Sequence, residues 1–503
     1  MNPRFVLSAL TIRPLPLLLA VALLSGMVFA LMRLALIDDA YITLTYARNL
    51  AFHLHWGLTL ESLSNTATSP LNVFVLAGLT AALRRPVVAV AIVFVAANVL
   101  TAMALHRGGR RIGLPGWYAW MAVLLLLFNP ILVSSIGLET SLGIALIALL
   151  FMVGLEGRPV LSGLLLGLVA LTRIDLLIIA GALLAIDRPG WRQWWKTALT
   201  FAAVAAPWFL FSWVVLGSAV PDTLFIKTMQ YAWGAHDVSH GILIYFKAYP
   251  VATLLSFIPP ALGIVALVRW IVLRARGGSD VQRLDAPAAL AVGGLLHYLA
   301  YTQLGVPPYH WYYAPSTAAL TIFLAAFVGG ALSPESSANR SPWRAAAIPP
   351  IAIALLVLAV SAALTVTHRP VRYAPMMTNW ASAAQYARIA TELRTLVGDR
   401  AVSFDHGEIG AITYFCECPV LDVFSDRGRL ADLLAARRRQ PRLLATWLEN
   451  FNFRFRDTGV RPRPAEYRLE NVQQVSPYAV VSWPVDSPWR GPGTLQLVRR
   501  PGD

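Results

Sequence analysis

The sequence is poor in charge and in cysteine. Only 13% of its 503 residues are charged, whereas 57% are hydrophobic, a balance far more apolar than that of an average globular protein. Its two cysteines, Cys416 and Cys418, are too few for a four-ligand zinc site. A Cys-x-Cys bridge would be strained, so two free thiols and a reversible disulfide both remain open. The composition is that of a polytopic membrane protein.

Several familiar motifs are also missing. The chain has no P-loop, dinucleotide fingerprint, His-Glu-x-x-His motif or nucleophile elbow, so nucleotide-driven and hydrolytic chemistry lack support. Its net charge of +15 comes mostly from short clusters of Lys and Arg between apolar runs, as cytoplasmic loops require. No soluble segment carries a basic stripe with interleaved aromatic residues, which argues against nucleic-acid binding.

Nine apolar runs have about the length that a membrane-spanning helix needs. They are Leu15–Leu36, Pro86–Leu105, Gly116–Ile136, Thr140–Leu155, Thr197–Leu216, Pro250–Leu273, Pro287–Leu304, Tyr313–Leu332 and Ala345–Val366. Ser69–Leu83 is short and is either a span or a re-entrant helix. Pro159–Ile186 is either one long helix or two short helices that meet at Arg173. The positive-inside rule favours about eleven spans with the C-terminus outside.

The composition changes after Val366, where charged residues, Asn, Gln and Pro return. We therefore divide the chain into a transmembrane domain, residues 1–366, and a soluble domain, residues 367–503. The soluble part alternates between helical and strand patterns, which predicts an α/β layer. The predicted elements are a helix at Trp380–Leu396, strands at Arg400–Phe404, Val420–Phe424 and Tyr478–Trp483, and a helix from about Arg429 to Trp447.

Two adjacent carboxylates follow the first apolar run. Asp38 and Asp39 lie where this run ends, in Asp-Asp-Ala-Tyr41-Ile-Thr-Leu-Thr-Tyr-Ala-Arg48-Asn, and Thr68-Ser-Pro-Leu follows. Placing carboxylates at a membrane surface costs free energy, so such residues usually have a functional role. This loop resembles the first periplasmic loop of the GT-C glycosyltransferases, and most of all that of the arabinofuranosyltransferases and their bacterial relatives. The resemblance implies a multi-pass enzyme that takes a sugar from a polyprenyl phosphate.

Asp38 is our preferred general base, and Asp39 is expected to be its neighbour or a metal contact. Two adjacent carboxylates on a loop cannot point the same way, so one would face the acceptor hydroxyl while the other holds Tyr41, Arg48 or a metal ion. Proximity of like charges and partial desolvation would raise one pKa, which suits a general base. The alternative is an acidic helix cap or a simple interfacial loop.

A second motif is Leu171-Thr-Arg173-Ile-Asp175. It resembles the Thr-Arg-Pro-Glu turn of the same family, with Ile174 and Asp175 in place of the proline and the glutamate. An intramembrane Arg needs a partner, and a lipid phosphate is one that an enzyme would recruit. The alternatives are an internal Arg173–Asp175 ion pair or an Arg that snorkels to the headgroups.

Two further segments resemble family motifs on the outer side. Pro221-Asp-Thr-Leu-Phe-Ile-Lys227 is similar to a Pro-Asn-Thr-x-x-x-Lys segment, and His310-Trp-Tyr312-Tyr matches a His-Trp-Tyr-Tyr segment. The resemblance implies that Lys227 and His310 contact the donor phosphate and that Tyr312 lines the sugar pocket. An ordinary interfacial lysine and an aromatic-belt histidine are the alternatives.

Glu139, in Gly-Leu-Glu-Thr, resembles the family's Gly-Met-Glu-Thr. It would bind a sugar hydroxyl or a divalent ion such as Mg²⁺ or Mn²⁺, although no ligand set is specified, or it is only an acidic helix start. Asp175, Tyr41 and Arg48 are the other pocket candidates. His406 and Glu408, in the soluble domain, are weaker candidates for the acceptor side, because turn chemistry explains the residues around them.

Together these motifs predict a GT-C-type membrane protein of the bacterial inner membrane with a C-terminal soluble periplasmic α/β domain. The implied activity is inverting transfer of a sugar, with arabinofuranose as one candidate, from a polyprenyl-phosphate donor to a periplasmic cell-envelope glycan or glycoconjugate. The alternative is a transporter or flippase of lipid-linked glycan intermediates, although the sequence shows no duplicated halves with interrupted helices. A non-catalytic scaffold of glycan assembly is a third reading.

Overall fold

The computed structural model describes residues 14–186, 193–230, 233, 236–333, 342–367, 372–405, 407–438 and 443–500. His406 therefore lies outside the described residues. The helices of the first part are α1 (Pro14–Met32), α2 (Asp38–His53), α3 (Pro70–Leu83), α4 (Pro86–Arg111), α5 (Trp117–Leu127), α6 (Pro130–Ser134), α7 (Thr140–Leu155), α8 (Pro159–Thr172), α9 (Leu177–Leu184), α10 (Trp194–Val214), α11 (Thr223–Thr228), α12 (Val238–Ala248), α13 (Pro250–Ala275), α14 (Asp285–Leu304), α15 (Ala314–Ala331) and α16 (Pro342–Thr367).

Proline marks the start of many of these helices. Pro70, Pro86, Pro130, Pro159 and Pro250 each occupy the first turn of a helix. The first helical N–H groups have no partner within the helix, so proline loses nothing there and its fixed φ favours the helical conformation. The sequence therefore breaks its apolar stretches at defined points.

Six described helices are long and apolar enough to cross a membrane: α1, α4, α10, α13, α15 and the part of α16 from Pro349 to Thr367. Five shorter apolar helices, between 10 and 17 residues long, accompany them. Helix α15 is the centre of the bundle, since its apolar residues are entirely buried inside the protein. Small residues permit close packing there: a Cβ on Gly263 would lie 2.4 Å from the carbonyl oxygen of Leu320.

The structure corrects two predictions in this part and decides between two alternatives that the sequence left open. The predicted span Gly116–Ile136 is two helices, because Asn129 caps a new helix that begins at Pro130. The ambiguous region Pro159–Ile186 is two helices, α8 and α9, joined by an extended Arg173 and a 3₁₀ turn, Ile174–Leu176. Asp38 and Asp39 are not on a loop, since they form the first turn of α2, where negative charge is favourable.

The soluble part contains a five-stranded mixed sheet in the order β2-β1-β3-β5-β4. Its elements are α17 (Ala383–Val397), β1 (Val402–Ser403), α18 (Ile409–Cys416), β2 (Val420–Leu421), α19 (Arg427–Arg438), α20 (Leu443–Asn452), β3 (Tyr467–Val472), β4 (Ala479–Ser487) and β5 (Gly491–Arg499). β1 pairs in parallel with β2 and β3, whereas β5 pairs antiparallel with β3 and β4.

The α/β pattern predicted here is present with different boundaries. β3 and β5 were not predicted from the sequence. Of the helix predicted from Arg429 to Trp447, the described residues show α19 and the start of α20, and residues 439–442 lie outside the described residues. Cys416 and Cys418 are joined by a disulfide, so of the two states left open the structure shows the bridged one. Both sulfurs lie at the C-terminal end of α18, a helix that contacts α2 of the membrane part.

Candidate functional site

A cavity of about 260 Å³ opens where the membrane helices meet the soluble domain. Its polar lining comes from α2, α11, α14 and the breaks between helices, and Phe424 contributes from the soluble domain. Six of the residues singled out from the sequence line it: Asp39, Glu139, Arg173, Asp175, Lys227 and Tyr312.

Asp39 and Lys227 form an ion pair at the wall of this cavity. Lys227 Nζ donates to Asp39 Oδ1 at 3.0 Å, and the Lys227 side chain is buried. Burial lowers the pKa of Lys227, but the carboxylate of Asp39 together with Tyr312 and Tyr309 raises it by more, so the net shift of the pKa is upward. The ammonium also lies over the rings of Tyr309 and Trp311, at 4.2 and 4.9 Å from their centroids. Lys227 is therefore a fixed cation beside the Asp39 carboxylate.

Arg173 is the second cation of the cavity, and two carboxylates hold it. Its Nη1 donates to Glu139 Oε1 at 2.8 Å, and its Nε donates to Asp175 Oδ1 at 3.0 Å. The extended conformation of Arg173 between α8 and the 3₁₀ turn points its side chain toward both partners. The Arg173–Asp175 ion pair that the sequence left open is thus present, and Glu139 is its third member.

Two residues that the sequence analysis missed complete this cluster. His297 Nε2 lies 2.9 Å from Asp175 Oδ2, and the hydroxyl of Tyr301 donates to the same oxygen at 2.9 Å. Both are on α14, four residues apart and so on one face of the helix. An ionisable or polar side chain inside an apolar helix is a functional candidate by default, which is the signal that could have identified them.

Asp38 faces away from the cavity. Its Oδ1 accepts the backbone N–H of Ala411 at 2.6 Å, and its Oδ2 accepts that of Gly410 at 2.9 Å. These N–H groups belong to the first turn of α18, whose dipole favours an anion. Asp38 is 6% exposed, so its carboxylate is committed to the soluble domain.

The same face of α2 carries Tyr41 and Arg48. Tyr41 packs against the rings of Tyr414 and Phe415, and Arg48 Nη1 donates to the carbonyl oxygen of Tyr414 and to Glu417. Asp38 thus meets the N-terminal end of α18 while Arg48 meets its C-terminal end, and each charge complements the helix dipole. Neither Tyr41 nor Arg48 lines the cavity described above. This face of α2 docks the soluble domain.

Glu408 lies beside Asp38 at this docking surface. Its carboxylate accepts hydrogen bonds from the Tyr386 hydroxyl at 2.6 Å and from the backbone N–H of Trp380 at 3.0 Å. Burial raises the pKa of Glu408 to about 8, and the charge of Asp38 adds to the shift. Burial likewise raises the pKa of Asp38 to about 7, despite the N–H groups that it accepts. Both carboxyls therefore have pKa values near neutral pH.

His310 is fully buried behind the cavity wall. Its Nε2–H donates to the carbonyl oxygen of Ser134 at 3.5 Å, and burial lowers its pKa to about 4. Its neighbours Trp311 and Tyr312 line the cavity, whereas His310 does not. The imidazole is therefore neutral at physiological pH, and it supports the aromatic wall from behind.

The cavity combines a carboxylate that can take a proton with two cations that can stabilise an anion. Within the described ranges, no group of three or more His, Cys, Asp or Glu side chains is arranged to hold a metal ion. Of the ten site residues singled out from the sequence, the cavity brings together six. Asp38, Tyr41 and Arg48 lie at the docking surface, and His310 lies behind the wall.

Solved structures show what this fold is similar to. ArnT from Cupriavidus metallidurans, bound to undecaprenyl phosphate, has a TM-score of 0.57 and 15% identity, and the match covers 96% of this chain and 97% of ArnT. The oligosaccharyltransferase AglB from Archaeoglobus fulgidus, in complex with an inhibitory peptide and a dolichol-phosphate, has a TM-score of 0.56 and 11% identity, with 91% and 69% covered. Both are GT-C glycosyltransferases, so the GT-C fold predicted from the motifs is confirmed.

Arabinofuranosyltransferase AftD from Mycobacteria also matches, with 13% identity over 97% of this chain and 40% of AftD. Its TM-score of 0.47 is too low to carry an argument. No protein-family model matches the sequence, and the comparison with curated proteins gives no significant match. The comparisons therefore show the fold and leave the activity to the chemistry of the site.

Proposed function

We propose that this GT-C-fold chain transfers a sugar from a polyprenyl-phosphate donor to an acceptor hydroxyl at the outer face of a bacterial inner membrane. One observation carries the proposal: a single cavity, at the junction of the membrane helices and the soluble domain, holds the Asp39 carboxylate and the cations Lys227 and Arg173. The fold supports the donor class, because ArnT was solved with undecaprenyl phosphate and AglB with a dolichol-phosphate.

Asp39, and not Asp38, is the general base in this proposal. Asp39 lines the cavity, whereas both oxygens of Asp38 already accept N–H groups of α18. Asp39 Oδ1 accepts from Lys227, which leaves Oδ2 to take the proton of the acceptor hydroxyl. The acceptor oxygen then forms a bond to the anomeric carbon as the bond from that carbon to the phosphate oxygen breaks. Attack opposite the leaving group inverts the anomeric configuration.

Lys227 and Arg173 stabilise the polyprenyl phosphate as it leaves. Lys227 has three N–H groups and Arg173 five, so each can bind a phosphate oxygen as well as a carboxylate. A phosphate that gains negative charge during bond breaking is stabilised more in the transition state than in the ground state. The carboxylates of Glu139 and Asp175 hold the Arg173 guanidinium in place without filling the cavity.

Arabinofuranose as the sugar rests on the motif resemblance alone, as does a cell-envelope glycan or glycoconjugate as the acceptor. The soluble domain provides the acceptor side, since Phe424 lines the cavity and its carbonyl oxygen accepts the Thr66 hydroxyl at 2.8 Å. Placing this domain in the periplasm follows from the charge pattern of the loops.

The experiment is transfer of radiolabelled sugar from a panel of synthetic polyprenyl-phosphate donors by the full chain in lipid nanodiscs. Product anomers are read by NMR, and inversion is expected. Lys227→Met should lower kcat/KM by roughly 10- to 100-fold, the loss of a charge-assisted hydrogen bond of about 1.5–3 kcal/mol. The control is Lys247→Met, because Lys247 is exposed on α12. Absence of transfer from every donor, with the protein folded, would refute the proposal.

A further inference from the structure

Helix α20 of the soluble domain buries polar side chains and exposes apolar ones near its C-terminal end. Glu449 and Asn452 are buried, at 2% and 3% exposure, whereas Trp447 is 63% exposed and Phe451 48% exposed. A helix on the surface of a water-soluble domain buries its apolar stripe and exposes its polar one. Among the α20 side chains that the structure describes, residues 447–452, these four show the opposite pattern, so this part of the helix presents its apolar side chains to something other than water.

Three residues of α20, Trp447, Leu448 and Phe451, form an exposed apolar patch with Phe455, which lies in the turn after the helix. Trp447 stacks on Phe451, with ring centroids 6.0 Å apart. Leu448 and Phe455 are 49% and 47% exposed. Trp, Phe and Leu on one helix face are typical of helices that lie in the interface of a bilayer.

This patch continues onto a membrane helix. Trp213, at the outer end of α10, packs against Phe451 and Phe455 with centroids 4.6 and 5.0 Å apart. Its indole N–H donates to the carbonyl oxygen of Phe451 at 2.9 Å. Only 11% of the apolar stretch of α10 is buried inside the protein. Leu210 and Val214, in the last turns of α10, are exposed. The lipid-facing surface of α10 thus runs directly into the exposed face of α20.

We propose that α20 lies in the outer interface of the bilayer, with Trp447, Leu448, Phe451 and Phe455 among the lipid headgroups and upper acyl chains. Trp213 indicates the depth of α20 in the bilayer, because tryptophan at the end of a spanning helix favours the level of the lipid headgroups. Arg454 is exposed next to the patch and suits contact with lipid phosphates. This contact is independent of the proposed sugar transfer.

The buried face of α20 reaches the cavity. Asn452 accepts the backbone N–H of Val220 through its side chain at 2.8 Å and that of Ala219 through its carbonyl oxygen at 3.3 Å. Val220 and Pro221 line the cavity. The helix therefore connects the bilayer surface to the cavity rim.

The test uses nitroxide labels on the full chain in nanodiscs of phosphatidylethanolamine and phosphatidylglycerol. Labels are placed at Leu448→Cys and Phe451→Cys, with Leu210→Cys on α10 as the lipid-facing control. Tyr478→Cys is the aqueous control, because Tyr478 is 81% exposed at the start of β4. The rate of collision of each label with oxygen, which concentrates in lipid, is compared with its rate of collision with a water-soluble nickel chelate. Wild type treated with the same nitroxide reagent gives the background signal from Cys416 and Cys418.

A ratio of oxygen to nickel collisions several-fold higher at 448 and 451 than at 478, and close to that at 210, is the expected result. Leu448 makes none of the contacts with Trp213 described above. The label at 448 therefore still measures exposure to lipid if Phe451→Cys disturbs the packing. Labels at 448 and 451 that collide with nickel as freely as the label at 478 would overturn the proposal. Exclusion of both agents, with spectral broadening that disappears on dilution with unlabelled chain, would overturn it in favour of a second copy.

Discussion

The Asp38 carboxylate accepts the backbone N–H of Ala411 at 2.6 Å, although 373 residues separate the two in sequence. This hydrogen bond joins the helix that carries Asp39 to the first turn of a helix in the soluble domain. The carboxylate of Asp38 is therefore used for docking, and that of Asp39 is left for the cavity. The two aspartates are adjacent in sequence but differ in role, because successive residues of a helix point about 100° apart.

We expect Asp38→Asn to loosen the soluble domain without emptying the cavity. The amide keeps one acceptor oxygen but turns an N–H₂ group toward a backbone N–H, which costs about 1–3 kcal/mol. Hydrogen exchange of the peptide that contains residues 409–416 should accelerate. Asp432→Asn is the control, since Asp432 is exposed on α19. Unchanged exchange in Asp38→Asn would show that the contact does not hold α18.

Gly410→Ala tests the same docking surface from the other side. A Cβ on Gly410 would lie 2.1 Å from the carbonyl oxygen of Asp38, a backbone atom that cannot move aside cheaply. The substitution should lower the melting temperature and reduce transfer, because α18 must shift away from α2. The matched control is Gly154→Ala in α7, where a Cβ meets nothing within 4 Å. Equal effects of the two substitutions would contradict this packing.

The Asp38–Glu408 pair should make docking sensitive to pH. Burial raises the pKa of Glu408 to about 8 and that of Asp38 to about 7, whereas unfolded carboxyls titrate near ~4. The folded state therefore holds protons that the unfolded state has released. The stability from this pair is fully present below about pH 4 and is lost as pH rises through the folded pKa values, by at most about 1.4 kcal/mol per proton and pH unit.

The measurement is the melting temperature of the full chain between pH 5.5 and 8.5. Wild type should melt at a lower temperature as the pH rises, and Glu408→Gln should flatten this dependence. Glu417→Gln is the control, because Glu417 pairs with Arg48 on the same docking surface but is exposed. A wild-type melting temperature that rises with pH over this range would contradict the raised pKa values of the Asp38–Glu408 pair.

Tyr301→Phe should weaken catalysis by loosening Arg173. The hydroxyl of Tyr301 donates to Asp175 Oδ2 and accepts from Arg173 Nη2, so its removal frees one side of the guanidinium. We expect kcat to fall by roughly tenfold, corresponding to about 1.4 kcal/mol, with a smaller change in KM for the donor. Tyr298→Phe, on the same helix but facing Tyr313, is the control. A kcat unchanged by Tyr301→Phe would remove Tyr301 from the site.

Local sequence patterns predicted much of the fold. Apolar runs and the change in composition after Val366 were readable from short segments. β3 was missed because its partners, β1 and β5, both lie some distance along the chain. β5 was missed although it forms a local hairpin with β4. The break at Pro130 was missed because the residues around it are apolar enough to resemble one continuous span.

The candidate site was predictable residue by residue but not as an arrangement. Motif order placed Asp39, Arg173 and Lys227 among the candidates, and the cavity contains all three. The division of α2 into a docking face and a cavity face depends on α18, which lies far along the chain. His297 and Tyr301 form no short motif with Asp175, since only the packing of α14 against the break between α8 and α9 brings them together.

The most direct test of the account compares Asp39→Asn with Asp38→Asn in transfer from a polyprenyl-phosphate donor, using nanodiscs with equal amounts of folded chain at pH 6. Asp39→Asn should lower kcat by roughly 10²- to 10⁴-fold, the usual contribution of a general base, with donor binding retained. Asp38→Asn should lose far less activity than Asp39→Asn, because it loosens the docking of the soluble domain but leaves the Asp39 carboxylate in the cavity. The reverse order, with transfer lost in Asp38→Asn and retained in Asp39→Asn, would contradict the assignment of the base.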